Sequence, residues 1–224
     1  ALVNEHDDTF DAVEWCAAQS WSNGRVGLTG ISYLGFTSYC AAVAKPRGLV
    51  AVMPSSTKYG NEQLSKVPAL AAMCTWFIWA GQPTATLQNF RRIDWLHLPL
   101  NQIGAEAGLD HPNATMMLEE RGFPGSHSAE EITRRLQSIE VPRQIICGWY
   151  DEFITESLLH YQRQAQAQGG GDVRLVVGPW HHNLEDQNEP RLGKVPVPEI
   201  PMNRYYTEME RFFGHYLKAG ATTP

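Results

Sequence analysis

The sequence predicts an α/β fold on a mostly parallel sheet, and three observations predict it. Short apolar segments alternate with segments of helical periodicity at both ends of the chain. Those segments are apolar throughout, as strands buried on both faces must be, with helices expected on both sides. Residues 57–138 break the alternation, with no strong strand and several short helical patterns. They read as a helical cap inserted into one core made of 1–56 and 139–224.

The elements follow in order. Residues 8–21 read as a helix capped by Asp8 or Thr9, with Phe10, Val13, Ala17 and Trp21 at helical spacing. Asn23-Gly24 is a turn, and Arg25 to Thr29 a short buried strand. Small and apolar residues then run at helical spacing to Ala44, where Lys45-Pro46 stops the helix. A strand follows from Leu49 to Met53, ended by Pro54. In the insertion, Trp76, Trp79 and Trp95 add aromatic weight. Ser128-Ala129-Glu130-Glu131 has capping-box spacing and starts a helix that Pro142 closes off. Gln144 to Tyr150 is a strand, about Thr155 to Gln168 a helix, Gly169-Gly170-Gly171 a turn, and Val173 to Val177 a strand. A proline-rich loop spans 189–201. Met202 to Leu217 is an amphipathic helix with Tyr205, Met209, Phe212, Tyr216 and Leu217 inward.

Composition narrows the function classes. A chain of 224 residues with net charge −6 can build one α/β domain. It lacks the clustered Lys and Arg of a nucleic-acid surface; the pairs Arg91-Arg92 and Arg134-Arg135 read as solvated helix faces. The most apolar run, Pro68 to Ala80, is too short to span a bilayer. No signal peptide is read, and a cytoplasmic location is favoured over export although the sequence does not fix it. Cys16, Cys40, Cys74 and Cys147 are far apart, without C-x-x-C spacing, and read as buried thiols. No histidine pair has H-E-x-x-H spacing, so neither metal nor cofactor is expected.

Gly30-Ile31-Ser32-Tyr33-Leu34-Gly35 places a serine between glycines at −2 and +3. By composition alone this pattern occurs in roughly one chain in ten of this length. Its context is what makes it specific, because it follows a strand and opens a helix, as a nucleophile elbow must. The turn is sharp, so a Cβ at −2 would collide with the following helix. The serine hydroxyl is then held clear of the sheet, and the Tyr33 backbone N–H is placed to stabilise an oxyanion. A serine nucleophile needs a base, and the base an orienting carboxylate, in the chain order Ser, acid, His. Asp151 directly follows one later strand, and His181 and His182 follow the last. Glu152 is the weaker carboxylate because it begins the outgoing turn. Each residue alone has a structural reading, Asp151 as a turn residue capping the next helix and the histidines as loop residues. Three such residues at three appropriate strand ends favour the catalytic one.

Beyond the elbow, the chain contains Trp21-x-Asn23-Gly24-x-Val26-Gly27, Pro54-Ser55, Asp110-His111-Pro112, Gly148-Trp149-Tyr150-Asp151-x-Phe153 and Gly178-Pro179-Trp180-x-His182. As an ordered set these segments resemble the cocaine-esterase and X-Pro dipeptidyl-peptidase group of α/β-hydrolases. The resemblance implies an α/β-hydrolase fold and a serine hydrolase cleaving a small-molecule acyl ester through an acyl-enzyme. It implies Ser32 as nucleophile, Asp151 as acid and His182, two places after the Trp, as base. It further implies Phe153 lining the acyl pocket and Trp76 or Trp79 as a cap aromatic. The α-amino-acid ester hydrolases of that group bind an ammonium group with carboxylates at +2 and +3 after the acid. Those positions here are Phe153 and Ile154, so an apolar acyl group is expected instead. A peptidase or amidase of the same group is the alternative, and a catalytically weak, truncated hydrolase-like module a further one. Against that architecture the chain is expected to lack the strands ahead of the nucleophile and the C-terminal β-sandwich, leaving a four-stranded sheet. Only 31 residues precede Ser32, and the tyrosine hydroxyl that completes the oxyanion site in the resembling esterases has no counterpart there, the first tyrosine being Tyr33.

Overall fold

The computed structural model describes residues 4–60, 94, 96–97, 127–167, 171–182, 191–192, 194–196 and 204–218. The chain packs as two compact units, Ala1–Tyr59 with Ser128–Pro224, and Gly60–His127. In the first, the elements run α1 (Glu5–Ala18), β1 (Val26–Ile31), α2 (Tyr33–Ala44), β2 (Leu49–Ser55), α3 (Ala129–Gln137), β3 (Arg143–Gly148), α4 (Ile154–Ala165), β4 (Val173–Gly178), β5 (Arg191–Leu192), β6 (Val195–Pro196) and α5 (Arg204–Tyr216). Strands β1 to β4 form a parallel sheet in sequential order, as the unbroken apolar runs predict. Each strand therefore delivers the residues after it to one edge of the sheet. β5 and β6 make a separate two-residue antiparallel ladder inside the segment read as loop.

Two apolar layers sandwich the sheet. On one face, Val52 packs with Val13 of α1, Tyr39 to Ala42 of α2, and Ile132 and Leu136 of α3. On the other, Ala51, Met53 and Ile146 pack with Tyr205, Phe212 and Tyr216 of α5. Neighbouring residues of β2 thus point into opposite cores, the period-two geometry of a strand. The Trp21-to-Gly27 segment seats α5. Arg25 donates to the Tyr216 carbonyl from both Nε and Nη2, and Asn23 Nδ2 donates to the Leu217 carbonyl. These bonds satisfy carbonyls that the end of a helix leaves over. A Cβ on Gly27 would lie 2.5 Å from the Phe213 ring, so this glycine sets how closely α5 approaches.

Four expectations change. α1 starts at Glu5, with Asp7 and Asp8 in its first turn where carboxylates favour the dipole, and it ends before Trp21, which is 71% exposed. β2 runs through Pro54 to Ser55. Val52 N–H donates to the Pro142 carbonyl and Ser56 N–H to the Ile146 carbonyl, so the ladder holds on both sides of the one donor that proline lacks. β3 closes at Gly148, leaving Trp149 and Tyr150 exposed in a turn. α3, expected within the insertion, belongs to the core unit because Ile132, Leu136 and Ile139 are fully buried there. Ser128 caps it by accepting from Glu131 N–H, while the Glu131 carboxylate pairs with Arg134 and Arg135. Cys16, Cys40 and Cys147 are free thiols; Cys74 and the insertion aromatics lie outside the described residues.

A methyl at Gly148 would stand 2.0 Å from the Trp180 carbonyl oxygen, a backbone atom with no room to yield, whereas one at Gly214 of α5 meets nothing within 4 Å. Gly148→Ala is expected to destabilise the chain by about 2–3 kcal/mol. Gly214→Ala is expected to stabilise it by up to about 1 kcal/mol. Urea unfolding of both variants checks the pair.

Candidate active site

Ser32, Asp151 and His182 stand just past the ends of β1, β3 and β4, on the same edge of the sheet. The end of β2 lies between the first and the other two. Ser32 sits at φ 62°, ψ −122°, a backbone state that L-residues avoid and that costs of order 1–3 kcal/mol. The surroundings enforce it. A Cβ on Gly30 would lie 2.3 Å from Leu34 Cβ and 2.7 Å from the Leu34 carbonyl carbon. A Cβ on Gly35 would lie 2.7 Å from Thr57 Cγ2 and 2.8 Å from the Gly30 carbonyl oxygen. Both glycines are required for β1 to turn directly into α2. Ser32 N–H donates to the Ser55 carbonyl at 3.0 Å, which fixes the turn against β2. The Ser32 side chain makes no capping bond to α2, so its hydroxyl is not committed to the helix.

Asp151 is 4% exposed. Its Oδ1 accepts from Phe153 N–H at 2.8 Å and from His182 Nδ1 at 3.3 Å. With Nδ1 carrying the proton toward the carboxylate, Nε2 keeps its lone pair and can take a proton from a nucleophile. His182, rather than its neighbour His181, is the ring against Asp151. Ser32 Oγ is not hydrogen-bonded to His182 in this arrangement; the closed pair is Asp151 with His182. Catalytic hydrogen bonds often tighten only when substrate is bound.

Burial is the largest influence on Asp151 and acts to raise its pKa. It is outweighed by the hydrogen bonds from His182 and Phe153 N–H, by the polar influence of the Ser56 hydroxyl, and by the His182 charge, so the carboxyl titrates below its ordinary range. For His182 the hydrogen bond to Asp151 leads and raises the pKa, burial opposes, and the charges of Asp151 and Glu152 add to the rise. Phe153 stands over the pair, its ring centre 5.3 Å from that of His182. Lys58 Nζ lies 5.6 Å from the centre of the same ring, and burial holds its pKa below the ordinary lysine value.

Tyr33 opens α2, so its N–H is one of the amides at the positive end of that helix. Its hydroxyl reaches back to the Glu5 carboxylate on α1. Trp76, proposed for the substrate pocket, lies outside the described residues. Among those residues no three His, Cys, Asp or Glu side chains converge as a metal site would require, and no helix is long and apolar enough to cross a membrane. The sequence reading did not single out Ser56, Thr57 or Lys58. The only signal was a polar run after an apolar strand, and such a run ordinarily means a solvated turn.

Comparison with known proteins fits this arrangement. Residues 1–183 match the family described as X-Pro dipeptidyl-peptidase (S15 family). Cocaine esterase from Rhodococcus sp. (strain MB1 Bresler) is 29% identical over 244 residues, covering 96% of this chain. The chain spans 41% of that enzyme's length. Among solved structures, an α-amino acid ester hydrolase superposes with TM-score 0.66 at 19% identity, over 99% of this chain and 39% of that one. An aminopeptidase from a marine sediment Thaumarchaeota archaeon superposes with TM-score 0.61 at 23% identity, over 97% and 39%. Both share the α/β-hydrolase fold seen here.

The two shifts set a pH signature. A raised His182 pKa contributes stability that is full below the unfolded-state value and lost as pH rises through the folded one. A lowered Asp151 pKa contributes stability present above its unfolded value and lost as pH falls through the folded one. By NMR, His182 is expected to titrate above the ordinary 6.5, and below it in Asp151→Asn, where burial acts without the carboxylate. An unchanged midpoint in the variant would contradict the assigned cause.

Proposed function

The chain belongs to the X-Pro dipeptidyl-peptidase (S15) family, and we propose that it works as a serine hydrolase cleaving acyl esters through Ser32, His182 and Asp151. The observation that carries this reading is the closed Asp151–His182 pair on the sheet edge where Ser32 is held at φ 62°. Ser32 Oγ attacks the ester carbonyl while its proton passes to His182 Nε2. Asp151 keeps the ring oriented and stabilises its charged form. The Tyr33 N–H donates to the developing oxyanion. The tetrahedral intermediate collapses with loss of the alcohol, which takes the proton from His182. Water, deprotonated by His182, then attacks the acyl-serine and releases the acid.

Phe153 beside the His182 ring supports an apolar acyl group. Lys58, with its ammonium over the far reach of the Phe153 ring, makes this corner unsuited to a substrate ammonium. A peptidase reading uses the same steps with an amine leaving group. The description of the matched family favours it, and matched X-Pro anilides beside p-nitrophenyl esters separate the two.

With p-nitrophenyl butyrate, a burst of p-nitrophenol equal to the enzyme concentration is expected, and none from Ser32→Ala. Ser32→Ala and His182→Ala should each lower kcat by about 10³-fold or more, and the double variant should be no worse than either single one, because the groups act as a unit. Additive losses would argue against a shared nucleophile–base pair. Since catalysis needs neutral His182, kcat/KM should rise with pH through a midpoint above 6.5.

A further inference from the structure

The segment after β2 is unusual for a strand end. Ser55, Ser56 and Thr57 are polar yet buried, the first two completely. Each makes a bond or contact to a different part of the site. The Ser55 carbonyl accepts from Ser32 N–H, Thr57 fills the space over Gly35, and the Thr57 carbonyl accepts from Ser157 Oγ of α4 at 3.4 Å. Ser56 is held to β3 by its N–H, which donates to the Ile146 carbonyl at 2.8 Å.

The Ser56 hydroxyl is the one part of this segment that the fold does not account for. It is buried, with no hydrogen bond closed to any group. Asp151 Oδ2, the carboxylate oxygen that neither His182 nor Phe153 uses, is likewise buried and unclosed. A buried hydroxyl and a buried carboxylate oxygen, both left without a partner, are complementary, one an O–H donor and the other an acceptor, and leaving either unsatisfied costs about 1–3 kcal/mol. The Ser56 backbone is also left-handed, at φ 44°, and it is one of three described non-glycine residues with positive φ. Such strain is retained where the surroundings over-determine it, and it gathers at functional sites.

We infer that Ser56 is a positioning residue of the catalytic site, its hydroxyl donating to Asp151 Oδ2 so that the carboxylate is pinned at both oxygens while Oδ1 holds His182. This rests on the serine-hydrolase reading for its consequence, not for its geometry. Without the bond, the carboxylate can swing off the imidazole and is less stabilised in its charged form. The Ser56 hydroxyl already acts in that direction, lowering the Asp151 pKa behind the His182 ring and Phe153 N–H. The other charged or titratable groups near the pair are Glu152, Lys58 across the Phe153 ring, and the Cys147 thiol, pushed up to about 11 by burial.

Ser56→Gly tests this, since glycine accepts φ 44° without strain and removes the hydroxyl together with the Cβ that carries it. Its thermal midpoint should match or exceed wild type, while kcat on p-nitrophenyl butyrate falls about tenfold with KM unchanged. That is the size expected for a hydrogen bond to a charged group. Independently of turnover, the Asp151 carboxyl carbon, assigned by NMR against Asp151→Asn, should titrate at higher pH in Ser56→Gly than in wild type. If wild type shows no esterase activity, this titration still decides the role of Ser56, while the functional reading fails on its own. An unmoved Asp151 titration in folded Ser56→Gly, or kcat within twofold of an active wild type, would overturn the inference.

Discussion

The structure depends on one strained turn. β1 must become α2 within a single residue, and Ser32 is that residue. Gly30 and Gly35 remove the two Cβ atoms that would block the turn, and the Ser55 carbonyl takes the Ser32 N–H. A cost of order 1–3 kcal/mol at one residue persists only if its neighbours cannot relax. They are held by the fully buried Tyr39 to Ala41 on α2, by the sheet register that sets Ile31 beside Ser55, and by Thr57 against Gly35. Packing far from the site thus supports a serine hydroxyl that projects past the sheet edge.

The second constraint is the burial of charge. Asp151 has lost most of its contact with water, and it remains ionised only because donors surround it. A second buried charge, Arg143, stands at the start of β3, with Nε and Nη2 left without partners. Arg143 is fully buried, and its Nη1 donates to the carbonyls of Ile139, Val141 and Gly171. Burial pulls its pKa down to about 10. His160, edge-on to the Tyr39 ring, is kept neutral, its pKa pushed down to about 3 by burial and by the charges of Arg163 and Lys58. The Arg143 bonds pin three stretches of backbone in one arrangement, which a purely apolar core would leave freer.

Much of this was legible in the residues. Each strand expected in the core is present, and the serine, acid and histidine singled out stand at the ends of β1, β3 and β4 because parallel strands deliver them to one edge. The choice between His181 and His182 needed family resemblance, since both follow the same strand and only the turn's three-dimensional path decides which ring meets Asp151. Pro54 misled as a strand terminator because the cost of its missing N–H depends on the neighbouring strand, which sequence does not display. α3 was assigned to the insertion by chain position, yet Ile132 and Leu136 find their partners in the layer that α1 and α2 form on one face of the sheet. Ser56 could not be read at all. A buried serine and a solvated one are spelled alike, and only the fold shows that its hydroxyl and Asp151 Oδ2 are both buried without a partner.

The central claim is that this fold holds Ser32 as an activated nucleophile. The most direct test is to treat the purified chain with a fluorophosphonate and locate the adduct by mass spectrometry. Modification at Ser32, absent in Ser32→Ala and slowed in His182→Ala, is the expected result. A chain shown to be folded that stays unmodified, or that is modified at another serine with Ser32 untouched, would contradict it.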